Sequence, residues 1–458
     1  MMKVQRISGF QGSLNFNSPQ ELFDKYYQRF EQSDLGKIHR AIPWDELVKA
    51  LELRPSNKGP ASIFSPKGKI ALMFLKNYSG CSDKRLIDQV NSNIDYQFFC
   101  DVYLGAEHRL TNYKIVSEIR CELGHKLDVN KLQGVLAGYW RGWMDQTDCM
   151  LTDATCYESE VRFPTNQKLL WECVDYSYGQ LKVICKYLSV KLPRTKYLKW
   201  KERYFVYSRK RRRTIKERRV LTRSLLMLTN KLNEVLDQLE HSHDFEMPKR
   251  YYERRKTIKT IYRQQHQLFS TGEKPKNRIV SIHKNYLRPI VRGKEIKSVE
   301  FGAKVNKIQI DGINFIEHIS FDAFNEGTRF KSSVYLSQDY MAKQVKIVGA
   351  DAIYATNKNR TFATGRKIRT DFKRKGRASK HEEHRRQLAA MITKERASSP
   401  DSYREEGSFG NEKEHYHLKK IKARTKQTEI LWIFFGIHTA NALQIGYRMA
   451  RDDLQEAA

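Results

Sequence analysis

Along the first third of the chain, apolar residues recur three and four positions apart, the spacing of a helix with one buried face. Trp44 to Leu53, Lys69 to Asn77 and Lys84 to Phe98 follow this rule, and Pro43, Pro55, Pro60, Pro66 and Gly80 punctuate them. A small all-helical domain is expected over residues 1–145. Within it, Ser82 to Leu104 suits either a helix-turn-helix or two short helices in plain packing.

Near residue 148 the pattern changes. Cys149 to Thr155 is a short apolar run containing Asp153, and Val299 to Phe321 alternates with the period of strands. Asp311-Gly312 interrupts that alternation; this dipeptide favours a two-residue hairpin turn because both central positions need positive φ. A third strand is expected at Val345 to Ala350, followed by Asp351. Ile430 to Ala442 is apolar but interrupted by His438, Thr439 and Asn441, which fits a buried core helix rather than a membrane span.

Between the first strand and the hairpin lies a long insertion, residues 191–279. From Leu221 the apolar positions fall at 221, 225, 228, 232, 235 and 239, a coiled-coil type of seam. Pro248 breaks it, and Ile258, Ile261 and Leu268 resume it, so a projecting helical hairpin is expected. Its seam serves internal packing, with a dimer contact as the less favoured use.

Charge narrows the function. In 458 residues, 84 Lys+Arg stand against 52 Asp+Glu, a formal net charge of +32. A chain this basic repels itself unless a polyanion compensates, so nucleic acid is the expected partner and a membrane surface the weaker one. The excess is concentrated. Arg194 to Arg223 holds 14 Lys/Arg against two Glu, including Arg209, Lys210, Arg211, Arg212 and Arg213. Gly365 to Arg386 holds 10 against three acids, including Lys373, Arg374, Lys375 and Arg377. Lys419 and Lys420 extend the basic surface.

Other classes fall away. The N-terminus shows no signal-peptide run, and the seven cysteines form no close pair for zinc, which fits a reducing cytoplasm. Thr271-Gly-Glu-Lys-Pro275 looks like a zinc-finger linker without its finger, and no phosphate-cradling glycine motif occurs. The scattered histidines His283, His318, His415, His417 and His438 suit hydrogen bonding better than catalysis.

Carboxylates are the remaining chemistry. Asp153 and Asp351 each terminate a strand, where ligands of open α/β sheets collect. Glu406 opens a segment in which Lys413 lies seven residues on, two helical turns away and on the same face. Converging carboxylates need cations, and oxygen-only ligands select Mg²⁺ or Mn²⁺. Two such ions can serve both the attacking and the leaving oxygen of a phosphodiester displacement. Asp322 ends another apolar run and is read as a turn residue.

Four runs carry a family resemblance: MLTDATCYESEVRFPTNQKLLWE around Asp153, LRPIVRGKEIKSVEFGAKVNKIQIDG before the hairpin, GADAIYATNKNR around Asp351, and EEGSFGNEKEHYHLKKIKARTKQTEILWIFFGIHTANA from Glu405. The sequence resembles the DDE transposases of bacterial insertion sequences over most of its length. That resemblance implies an RNase H-like α/β catalytic core of a mixed sheet flanked by helices, over 146–190 and 280–450. It also implies an N-terminal domain that recognises DNA ends, and a metal-binding triad of Asp153, Asp351 and Glu406 with two Mg²⁺ or Mn²⁺ ions. Lys413 would steer phosphate.

The implied partners are double-stranded DNA, as element ends and target, and a second copy of the chain in a synaptic complex. The implied location is a bacterial cytoplasm, at the nucleoid. Many relatives carry Tyr and Arg seven and four residues before the glutamate, where this chain has Ser399 and Ser402. Glu405 competes with Glu406, which alone has the lysine in register. Two alternatives stay open: an RNase H-like nuclease without strand transfer, and a transposase-derived protein that only binds DNA.

Overall fold

The computed structural model describes residues 19–54, 62–105, 108–291, 299–373, 380–397 and 405–456. The chain divides into two units. Unit 1 comprises Met1–Thr147, Tyr340–Ala342 and Phe435–Ala458; unit 2 comprises Asp148–Asp339 and Lys343–Phe434.

Unit 1 is helical, as its periodicity requires. Its helices are α1 (Pro19–Gln32), α2 (Asp34–Arg40), α3 (Trp44–Ala50), α4 (Pro66–Ser79), α5 (Asp83–Ser92), α6 (Ile94–Phe99), α7 (Lys114–Lys126) and α8 (Val129–Trp140). Side chains of Ser33, Ser65, Ser82, Asn93 and Asp128 accept backbone N–H groups at the starts of α2, α4, α5, α6 and α8, satisfying donors that the helix itself cannot. Its mainly aliphatic core contains an aromatic cluster, with Phe74 edge-on to Trp44 at 6.0 Å and to Phe435 at 4.8 Å.

The sequence left a helix-turn-helix open at Ser82 to Leu104. Only Asn93 separates α5 from α6, and the six-residue α6 buries Gln97, Phe98 and Phe99. These three residues pack into the core of unit 1, while Ile94, Asp95 and Tyr96 are half-buried.

Unit 2 runs β1 (Cys149–Ser159), α9 (Asn166–Tyr187), α10 (Tyr197–Arg209), α11 (Ile215–Ser242), α12 (Lys249–Thr271), β2 (Ile290–Val291), β3 (Val299–Glu300), β4 (Gly302–Ile310) and β5 (Ile313–Ser320). It continues with α13 (Phe330–Met341), β6 (Ile347–Ala350), α14 (Asn357–Gly365), β7 (Arg369–Thr370), α15 (Lys380–Ala397), α16 (Glu405–His415), β8 (Lys420–Ile421) and α17 (Lys426–Glu456).

The sheet is mixed, in the order β5-β4-β1-β6-β7, with β8 also pairing β1. β1 is antiparallel to β4 and parallel to β6 and β8. The hairpin turns where expected: Asp311 has φ 48° and Gly312 φ 80°. Val345 to Ala350 supplies β6, but β1 runs on to Ser159, so Asp153 does not end its strand as expected: β4 continues to pair with β1 through Glu158, and only the β6 flank stops, at Thr152.

Two further boundaries differ from the sequence expectation. Residues 435–458, assigned above largely to the catalytic segment, group with unit 1, whose core takes Phe435, Ile437, Ala442, Ile445 and Met449. The α11 seam is not buried within a two-helix hairpin. It packs on α9, with Leu221, Leu225, Leu228, Leu232 and Leu236 sharing a cluster with Leu170, Trp171, Val174, Leu181 and Ile184. α12 adds Tyr251 there and sends Ile258 and Ile261 against Leu169 and Cys173 of α9. The insertion is thus part of a helical layer that begins at Asn166, because α9 is apolar on more than one face.

Candidate active site

The flank of β1 opposite β4 is divided between two strands. Its pairing with β6 ends at Thr152–Ala350, and its pairing with β8 starts at Glu158–Lys420. Asp153 and Asp351 are therefore the next residues on two neighbouring parallel strands, one position past their last register pair. Beyond Asp351 the chain turns away in a 3-10 turn, Ala352–Tyr354. That turn is tied down by Tyr354, whose hydroxyl donates to Asn306 Oδ1 of β4 at 2.5 Å. Asn306 in turn donates to Glu317 Oε2 at 3.0 Å and Ser333 Oγ at 3.1 Å. A fully satisfied buried network of this kind holds a loop in one arrangement. Asp351 is exposed and Asp153 half-buried, its Oδ1 accepting the backbone N–H of Ala154 at 2.6 Å.

Alternation along β1 puts Asp153, Thr155 and Tyr157 on one face, and Lys307, the direct cross-strand partner of Asp153, on that face too. α16 lies on it. Lys413 Nζ donates to Thr155 Oγ1 at 2.8 Å and stands 5.8 Å from the Tyr157 ring centroid. Tyr157 donates its hydroxyl to Glu412 Oε2. Lys307 Nζ donates to Glu412 Oε1 at 2.6 Å and to Ser408 Oγ at 3.3 Å, and lies 4.2 Å from the Phe409 ring centroid.

Both ends of the pair are out of water, Lys307 at 0% and Glu412 at 1% exposure, so neither could lose the other cheaply. Ser408 and Phe409 reach Lys307 opposite Asp153, while the C-terminal end of α16 leads into β8 beside Glu158. The first turn of α16, where Glu406 stands seven residues before Lys413, thus lies toward the Asp153 end of β1.

The structure sets Asp153 and Asp351 on neighbouring strands, each one position past the same register pair, and Lys413 on the Asp153 face of β1. The side chains of Glu405 and Glu406 lie outside the described residues, as do Ser399 and Ser402. Among the described residues no three His, Cys, Asp or Glu side chains form a group able to hold a metal ion. Sequence reasoning missed the Lys307–Glu412 pair. Its signal was present: Lys307 lies between Val305, Ile308 and Ile310 in a strand with both faces covered, where a lysine needs an acid.

The basic residues are elsewhere. Arg209, Lys210, Arg211, Arg212 and Arg213 are exposed between α10 and α11. Glu217, one of the two acids of that run, completes a capping box with Thr214 at the start of α11 and binds Lys210 Nζ at 2.5 Å. Arg213 donates to Ser208 O at 2.8 Å. Lys373 is exposed, and Arg374, Lys375 and Arg377 lie outside the described residues. Lys419 pairs with Glu414 at 2.6 Å on the surface, and Lys420 is exposed on β8. Asp322 is exposed beyond β5, 3.6 Å from Arg288 Nε.

A mixed sheet flanked by helices, two carboxylates on neighbouring parallel strands and a strongly basic helical layer define a class of α/β protein suited to acting on nucleic acid. Residues 24–121 match the family model described as Transposase domain (DUF772), which supports a transposase of insertion-sequence type. No curated protein and no solved structure matches the chain. Among the described residues no helix is long and apolar enough to cross a membrane.

Proposed function

We propose that this protein is a DDE-type DNA transposase with an RNase H-like catalytic core, cleaving phosphodiester bonds at the ends of an insertion sequence and joining them to target DNA. The observation that carries this reading is the placement of Asp153, inside β1, and Asp351, just past the end of β6, each one position beyond the last register pair of these parallel strands, with Lys413 hydrogen-bonded on the Asp153 face of β1. The transposase-domain match at residues 24–121 supports it independently.

Asp153, Asp351 and Glu406 would hold Mg²⁺ or Mn²⁺, and oxygen-only donors fit such hard ions. When bound, these ions supply activation of the attacking oxygen and charge neutralisation at the phosphate. Asp153 is paired with Lys307 of β4 and directly follows the last residue of β1 paired with β6, so its carboxylate has a fixed base. Lys413, oriented by Thr155, offers a point charge to a non-bridging phosphate oxygen. The Lys307–Glu412 pair locks α16 onto β4, and the bonds of Glu412 to Tyr157 and of Lys413 to Thr155 hold it against β1.

Cleavage adds water across the P–O3′ bond and releases a 3′-hydroxyl; strand transfer lets that hydroxyl displace a 3′-oxygen of the target. Both are in-line displacements, so one site serves both. The exposed cations between α10 and α11 neutralise backbone phosphates, which contributes affinity and salt dependence without sequence information.

The test is a labelled duplex of the element's end, incubated with wild type or Asp351→Asn, in Mg²⁺ or EDTA, with nicking and gel-shift binding followed in parallel. The expected result is metal-dependent nicking that Asp351→Asn reduces by about 10²–10³-fold or more, the scale for removing one preorganised electrostatic group, with binding retained. Binding without nicking by wild type in either Mg²⁺ or Mn²⁺ would overturn catalysis and leave a DNA-binding protein. Nicking without joining of a pre-cut end would leave a nuclease.

A further inference from the structure

Between the C-terminal half of α10 and the first turns of α11 lies a cleft of about 530 Å³. This is inside the ~300–1,000 Å³ range of clefts that bury a small organic ligand. Its floor is Trp200, Tyr207 and Leu221, and its walls are Val206 and Val220. Those wall residues are 56% and 51% exposed, unusual for valines that could have faced the nearby apolar layer.

Arg203, Lys210 and Lys216 line it together with Glu202 and Glu217, of which Glu217 is bound by Lys210 and the Thr214 capping box, and the Arg209 to Arg213 run links the two helices beside it. Arg203 lies 5.0 Å from the Trp200 ring centroid and Arg213 5.0 Å from that of Tyr207, so the aromatic floor and the cationic rim are one assembly. Trp171 stacks on Tyr204 of α10 at 4.9 Å and on Tyr197 at 5.6 Å, which stiffens the helix presenting the cleft.

Charge decides between possible occupants. A second copy of the chain would bring the same segment, 14 Lys/Arg against only Glu202 and Glu217, both of which line the cleft, face to face with itself, so the surplus of cations around the cleft would repel. A polyanion is attracted instead. What a polyanion must also supply is a flat apolar group, because the floor is aromatic and the walls are aliphatic. Nucleic acid offers both: a backbone for the cations and a base for the floor, once that base leaves its stack.

We infer that the α10–α11 cleft is a pocket for a single unstacked nucleobase of the bound DNA, with Trp200 and Tyr207 as its aromatic floor and Arg203, Lys216 and the Arg209 to Arg213 run holding the flanking phosphates. The inference rests on the reading of the chain as a protein that acts on DNA. It adds that this DNA is bound locally unstacked, and it assigns the place.

The experiment measures fluorescence-anisotropy binding of the full chain to a 30-base-pair duplex and to the same duplex with one extra unpaired thymidine. Wild type is compared with Val220→Trp, which fills the cleft from an exposed position without changing charge, and with Trp200→Ala. Wild type should prefer the bulged duplex by about tenfold, within the range one aromatic–base stack contributes. Both variants should lose the preference and keep wild-type affinity for the paired duplex. A 5-iodouracil in the bulge should crosslink within Trp200 to Leu221.

Equal affinity of wild type for both duplexes, or a crosslink elsewhere, would overturn the pocket while leaving DNA binding intact. Equal loss of both affinities in Val220→Trp would reduce the region to phosphate contact. A wild-type dimer in sedimentation that Val220→Trp dissociates would make the cleft a subunit contact. No binding to either duplex would sink the DNA reading itself.

Discussion

Beneath α16, Lys307 is wholly buried and bonded to Glu412 at 2.6 Å, with Ser408 and the Phe409 ring completing its surroundings. Between α10 and α11, Arg209, Arg211 and Arg212 stand in solvent. The same kind of charge is used in opposite ways. A lysine taken out of water must keep its acid at one distance and one angle, so it registers a helix against a strand. Arginines left in water hold no such geometry; they set a field that draws in a polyanion and is screened by salt. The first arrangement suits a place where bonds are broken, and the second a place where a long ligand is gathered.

Breaking the buried side should have the larger effects. Lys307→Met leaves Glu412 buried without its cation, which should cost about 3–5 kcal/mol in urea denaturation. Lys307→Met with Glu412→Leu should recover most of that loss. If the double variant regains stability but nicks DNA as poorly as the single, the pair positions α16; if it regains both, the pair is only structural.

The exposed side should respond in affinity alone. Arg211→Ala, Arg212→Ala and Arg213→Ala combined should leave stability within about 0.5 kcal/mol. The slope of log K against log salt should become shallower by up to about 2.7, one phosphate for each arginine. An unchanged slope would mean these cations do not touch DNA, and the contrast between the two regions would fail.

A smaller effect tests burial without an ion pair. His39 of unit 1 is enclosed by Phe30, Trp44 and Phe99, and burial lowers its pKa from 6.5 to about 4. Nearby Lys67 adds to that shift. The unfolded chain then binds the extra proton first, so stability should fall as pH drops below about 6.5 and level off near 4. Between pH 6.5 and 5 this should amount to roughly 1–2 kcal/mol. His39→Phe should flatten that part of the urea-midpoint profile, and an unaltered profile would reject the assignment.

Much of the fold was legible because it is local. Helical spacing gave the elements of unit 1, the Asp311-Gly312 dipeptide gave the turn between β4 and β5, and the run ending at Ala350 gave β6. The end of β6 falls just before Asp351 as expected, whereas Asp153, read as a strand end, lies inside β1, because pairing with β4 carries that strand on to Ser159. The partner of the α11 seam was not legible, since an apolar stripe states that it will be covered and not by what. The Lys307–Glu412 pair was hidden for the same reason, its members being 105 residues apart.

By itself the sequence determined which segments are helix or strand and where positive charge accumulates, because these follow from neighbours along the chain. The tertiary structure alone decided that β6 and β8 divide one flank of β1 and that α9 covers the α11 seam. It alone also seated α16 over Asp153, Thr155 and Tyr157 on a buried ion pair. Each of these joins residues far apart in sequence, and their pairing is fixed by burial, hydrogen-bond satisfaction and the removal of charge from water, which act only once the chain is folded.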